Sequence, residues 1–153
     1  MRWTPVDGVL SDPVVSDDGL TVTYREVWPG VDLRYRLSTD AVKEDIVVSS
    51  AAVLPADGVF RFDVAGPGVQ DDGSGHLRFE GALASDFSIG EVEVEDSAGL
   101  PISFADQVSQ SVGGRRNGLG GDRVDTVSIG VDPGWVAGLP ASAFPSPNRR
   151  SAC

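Results

Sequence analysis

Apolar residues recur at every second position along most of this chain, and only a pleated strand places such a period on one face. Between Thr21 and Leu37 the sequence reads "TVTYREVWPGVDLRYRL", two alternating runs hinged on Trp28-Pro29-Gly30. Leu20, Val22 and Tyr24 alternate with Thr21, Thr23 and Arg25. Past the hinge, Val31, Leu33, Tyr35 and Leu37 alternate with Asp32, Arg34 and Arg36. Pro29 presets φ for the second position of a turn, and Gly30 accepts the positive φ that a type II turn demands next. Trp28 stands where its ring can cover the open edge of a core. Tyr24, Trp28, Pro29, Gly30, Asp32 and Tyr35 therefore read as a structural corner.

The same period continues downstream. "VKEDIVVSS" (Val42–Ser50) supplies a further strand, "VFRFDV" aligns Phe60, Phe62 and Val64, and "HLRFEG" aligns Leu77 and Phe79. "IGEVEVEDSAG" (Ile89–Gly99) sets Val92 and Val94 against Glu91, Glu93 and Glu95, Ile102 and Phe104 make a short run, and "RVDTVSIGVD" aligns Val127, Ile129 and Val131. Nineteen glycines and ten prolines, many in Asp-rich clusters, punctuate these runs as turns. No segment sustains a 3.6-residue period for three turns, and a helical turn near Asp132–Gly138 is all that the pattern allows. With 153 residues, one domain's worth of chain, the expectation is all-β: an antiparallel β-sandwich of about eight strands over residues 19–140. Residues 1–18 are weakly patterned, and 141–153 read as a disordered C-terminal tail.

Charge narrows the partners. Twelve basic against 23 acidic side chains give a net charge of -11, which repels phosphate backbones and anionic bilayers. Neither nucleic acid nor membrane insertion is expected; no run of 18 apolar residues is present. The start "MRWTPVDGVLSDPVV" lacks the basic and apolar regions of a signal peptide.

Reactive chemistry has few places to reside. His76 is the sole histidine, and no second His or Cys stands near it, so an ordinary exposed histidine is expected. Cys153 is the sole cysteine, which excludes an intrachain disulfide and the usual thiolate zinc sites. Glu91, Glu93 and Glu95 would stand roughly 6.5–7 Å apart on one strand face, a spacing a glycosidase pair can use only across a cleft. A solvated row is the simpler reading. The two Asp-Asp-Gly runs, Asp17-Asp18-Gly19 and Asp71-Asp72-Gly73, lack the alternating ligands and distal glutamate of a calcium loop, and read as turns. "GGRRNGLGGD" (Gly113–Asp122) opens no helix and carries no Lys-Ser/Thr, so it reads as a long hairpin loop rather than a phosphate cradle. Lys43, Glu44 and Asp45 are placed to partner Arg34 and Arg36 on the neighbouring strand. No catalytic residue, metal ligand or cofactor is indicated.

The stretch "TVTYREVWPGVDLRYRLSTDAVKEDIVVSS" resembles an N-terminal β-rich module of secreted bacterial proteins. That module occurs ahead of RHS/YD repeats, in DNRLRE-domain proteins and, more distantly, in SBBP-repeat proteins. The shared pattern is a tyrosine, then aromatic-Pro-Gly-Val-Asp-Leu, an aromatic two residues on, and Lys-Glu-Asp-Ile-Val. Here these are Tyr24, Trp28 to Leu33, Tyr35 and Lys43 to Val47. "EVEDSAGLPISF" and "VSIGVDPGWVAGLPASAFP" are similar to later segments of the family, with Trp135 as the aromatic. The chain departs from the pattern at "FPSPNRRSAC", as a truncated or frame-shifted piece of a longer protein would. The resemblance implies an extracellular or cell-surface, non-catalytic module that packs beside adjoining repeat domains. Two other readings compete with it. A carbohydrate-binding sandwich would take cell-wall glycan on exposed aromatics, with Trp3, Trp28 and above all Trp135 as contacts. A glycoside hydrolase would rely on Glu93.

Overall fold

The computed structural model describes residues 1–80, 88–102, 106–118 and 120–145. Among these, eleven strands follow in order: β1 (Arg2–Pro5), β2 (Val14–Val15), β3 (Thr21–Trp28), β4 (Val31–Leu37), β5 (Val42–Val48) and β6 (Val59–Ala65), then β7 (Val69–Asp71), β8 (Leu77–Phe79), β9 (Ser88–Ile89), β10 (Val108–Asn117) and β11 (Arg123–Val131). Among the described residues the one α-helix, α1, is the short turn Pro133–Ala137, where the sequence pattern allowed one. Every strand pairing is antiparallel, so the fold is all-β as the period predicts. No helix among the described residues is long and apolar enough to cross a membrane. The chain divides into two compact units: Met1–Val6, Pro55–Val94 and Ile102–Trp135 form one, and Asp7–Leu54, Glu95–Pro101 and Val136–Cys153 the other.

The first unit is a sandwich. Its larger sheet runs β1-β6-β11-β10 and its smaller sheet β7-β8-β9. In β6 the pleat turns Phe60, Phe62 and Val64 inward, and Phe62 pairs with Val127 of β11 and Pro5 of β1. From the smaller sheet Val69, Leu77 and Phe79 meet Val64 and Val127 in one core, against which Trp3, Ile89 and Val112 pack. Each fully buried side chain of this size contributes about 1.5–3 kcal/mol. The weakly patterned start thus supplies β1, anchored by Trp3, whose ring lies 5.3 Å from that of Phe62.

The second unit is a meander, β2-β3-β4-β5. Consecutive strands pair through short turns, with Trp28 opposite Val31 and Leu37 opposite Val42. A small hairpin closed by the Glu95–Pro101 bridge belongs to the same unit.

Two segments differ from the sequence reading. "GGRR" lies inside β10 rather than in a loop. Gly114, at φ +63°, provides the extra residue of a bulge, and the ladder resumes at Arg116 opposite Val124. Of the turn that follows, Gly118 and Gly120–Asp122 are described, and the Gly118 N–H donates to the Asp122 carbonyl. Conversely, the alternating Glu91–Val94 run is not a strand; β9 ends at Ile89. Alternation specifies faces, whereas a strand also needs a ladder; here the Ile102 N–H donates to the Val94 carbonyl. Phe104 of the short run and residues 146–153 of the expected tail lie outside the described residues. The tail's first residues, Ala141–Ala143, make a 3-10 turn.

Candidate functional site

The corner foreseen around Trp28 is built from backbone geometry and two carboxylates. Beyond Tyr24 the apolar phase of β3 slips by one, so that Glu26 is exposed and Val27 is buried. A bulge between Tyr24 and Trp28 accommodates the slip, with Glu26 at φ +50°. Two side chains hold this strained position. Asp32, only 8% exposed, accepts the Glu26 N–H at 2.9 Å, and the Glu26 carboxylate accepts the Gly30 N–H at 2.8 Å. Gly30 adopts φ +77°, and a Cβ there would run into Val53 and stand 3.0 Å from the Ser49 hydroxyl. Pro29 is exposed and Trp28 half-buried beside it.

Tyr24 and Tyr35 lie across the same pleat face, 6.2 Å apart and edge to face, a geometry that aromatic rings favour. Burial, reinforced by the Glu44 carboxylate, pushes the Tyr35 hydroxyl well above its ordinary pKa. On the opposite face Asp45 accepts from both Arg34 (2.9 Å) and Arg36 (2.8 Å), as cross-strand partnering predicts. Glu95 adds a second anion, 2.8 Å from Lys43 and 3.6 Å from Arg36. The Asp45 hydrogen bond raises the Arg36 pKa, and that of Glu95 raises Lys43.

In the first unit a corresponding cluster gathers on β11. Asp125 is 2% exposed and accepts the Val69 N–H at 2.9 Å, which ties β7 to the larger sheet. Arg123 reaches both Asp125 and Glu80, and Arg115 stands 3.5 Å from Asp125. Nearby, Arg116 pairs with Asp63, which also accepts the Thr126 hydroxyl at 3.1 Å. The sequence reading missed Asp125. Its signal was Arg123-x-Asp125, two residues apart and hence on one strand face.

The remaining candidates resolve locally. Asp72 accepts the Ser74 N–H and hydroxyl and Arg78, which holds its carboxyl well below the usual range. Asp18 accepts the Ser16 hydroxyl and the Leu20 N–H, which lower its pKa. Both Asp-Asp-Gly runs therefore act as turns whose carboxylates close on their own backbone. His76 is half-buried, with Nδ1 3.0 Å from the Ser74 hydroxyl. Glu91 and Glu93 are exposed, Glu95 is engaged as above, and the three do not share a strand. All three tryptophans are half-buried: Trp3 in the first unit's core, Trp28 at the corner, and Trp135 in α1, where its N–H donates to Asp132 at 2.6 Å. Compared with family models, with curated proteins and with solved structures, the chain matches none.

Proposed function

We propose that this chain is a non-catalytic structural and interaction module of a secreted or surface-displayed bacterial protein, packing beside the adjoining repeat domains of an RHS-like polypeptide. The observation that carries the reading is how the chain spends its carboxylates. Asp32, Asp45, Asp63, Glu80, Asp125 and the turn aspartates accept hydrogen bonds from the chain's own N–H, hydroxyl and guanidinium groups. Such engagement rigidifies strands and turns, whereas an acid–base pair needs carboxylates aimed at a substrate. The sequence resemblance adds the extracellular, repeat-associated setting.

The test is turnover. Incubated with soluble peptidoglycan fragments and a polysaccharide panel, the protein is expected to release no new reducing ends, and Glu93→Gln to be indistinguishable from wild type. Turnover that Glu93→Gln abolishes would replace the module with a glycoside hydrolase. A tryptophan emission shift on peptidoglycan titration, lost in Trp135→Ala, would instead favour glycan binding.

A further inference from the structure

In the meander of the second unit, burial declines along the apolar face. On β4, Val31 and Leu33 are 0% exposed, Tyr35 is half-buried, and Leu37 is 41% exposed. Leu37 pairs with Val42, and its N–H donates to the Leu20 carbonyl at 2.8 Å, so one rung holds Leu20, Leu37 and Val42. Val15 pairs with Val22, two residues from Leu20 and hence on the same face. Leu20, Val42 and Val15 are 52%, 63% and 54% exposed. With strands roughly 4.8 Å apart and same-face residues roughly 6.5–7 Å apart, these four side chains form a contiguous apolar patch. Clustered exposure of this kind marks an interaction surface, whereas single exposed apolar residues do not.

The rim of the patch is acidic. Asp17 and Asp18 stand in the turn that leads to Leu20, Asp40 in the turn between Leu37 and Val42, and Glu44 on the patch's own face two residues beyond Val42. The cations of β4 and β5, Arg34, Arg36 and Lys43, alternate to the opposite face and are paired there with Asp45 and Glu95. A second copy would bring the same anions against this rim, and an anionic bilayer would be repelled by it. The complement of an apolar floor with an anionic rim is an apolar segment studded with cations.

We propose that this face docks an extended segment of another polypeptide in which an apolar stretch is flanked on both sides by Lys or Arg. The apolar side chains lie on Val15, Leu20, Leu37 and Val42, and the cations reach Asp17, Asp18 and Asp40. The proposal rests on the module reading and names the surface through which the module holds its neighbour.

The test uses the full chain and a fluorescein-labelled ten-residue peptide of six leucines and valines with two lysines at each end, followed by anisotropy. Wild type is expected to bind it, more weakly as salt rises, and to ignore the counterpart with glutamates at its ends. Leu37→Ser/Val42→Ser keeps the charge and replaces only exposed positions; it is expected to bind at least about tenfold more weakly, with an unchanged urea midpoint. Asp17→Asn/Asp40→Asn is expected to lose part of the affinity and part of the salt dependence. Equal binding by Leu37→Ser/Val42→Ser, or equal binding of the acidic peptide, overturns the proposal. So does a wild-type dimer in sedimentation that Leu37→Ser/Val42→Ser dissolves, since a second copy would then be the occupant. Glycan turnover would overturn the module reading without touching the peptide result, so the two failures are distinguishable.

Discussion

The first unit closes a second sheet over its apolar face, whereas in the second unit coverage of the meander's apolar face stops short of its open end. Phe62 and Leu37 follow the same alternating rule in sequence, yet Phe62 is 0% exposed and Leu37 41%. Alternation states which way a side chain points. Whether anything lies over it is decided elsewhere in the chain, by residues such as Val69, Leu77 and Phe79 that have no local relation to the strand they cover.

Truncation separates the two faces most sharply. Phe62→Ala should cost about 3–5 kcal/mol and unfold much of the first unit, while Leu37→Ala should stay within about 0.5 kcal/mol. Urea midpoints measured side by side check this, and similar losses would mean that the open end is covered in solution. Next comes the corner. Gly30→Ala should incur about 1–2 kcal/mol for its positive φ and a further 1–3 kcal/mol, roughly, for driving Cβ into Val53. Gly19→Ala, at φ +72° with nothing within 4 Å, should incur only the first. The smallest effect is electrostatic. Gln70, then Arg123, hold the Glu80 carboxyl below its ordinary range. A depressed carboxylate stabilises the fold above its unfolded pKa, about 4.3, and that contribution disappears as pH falls through the folded value. Wild type should therefore lose more of its urea midpoint between pH 7 and pH 3 than Glu80→Gln does. The difference is small because the pair is partly solvated.

The meander was legible in advance because everything that specifies it is local. Trp28-Pro29-Gly30 fixes the turn, the turn fixes the register of Tyr24 and Tyr35, and Arg34 and Arg36 then face Asp45. Even the Glu26 bulge left a trace, in the slip of apolar phase from Tyr24 to Val27. The sandwich was legible only as a class. Nothing around Trp3 announces that β1 pairs with β6, and β7 is three residues long. Gly113-Gly114 disguised a ten-residue strand as a loop. Asp125 looked like one more outward acid, since the N–H it satisfies belongs to Val69, far away in sequence. The apolar patch was present as Leu20, Leu37 and Val42, but no local pattern reveals that a rung lacks a cover.

The position of β6 sets an order in time. Ala65 pairs with Arg2 on one side and with Val124 on the other, so its second neighbour is synthesised only after β7, β8, β9 and β10. The meander is complete once Val48 has emerged from the ribosome. From the emergence of Ala65 until Val131 follows, β6 waits with one bare edge and with Phe60, Phe62 and Val64 awaiting their partners from β11. Such a strand is prone to join a neighbouring nascent chain, and slowing translation between Ala65 and Arg123 would lengthen that exposure.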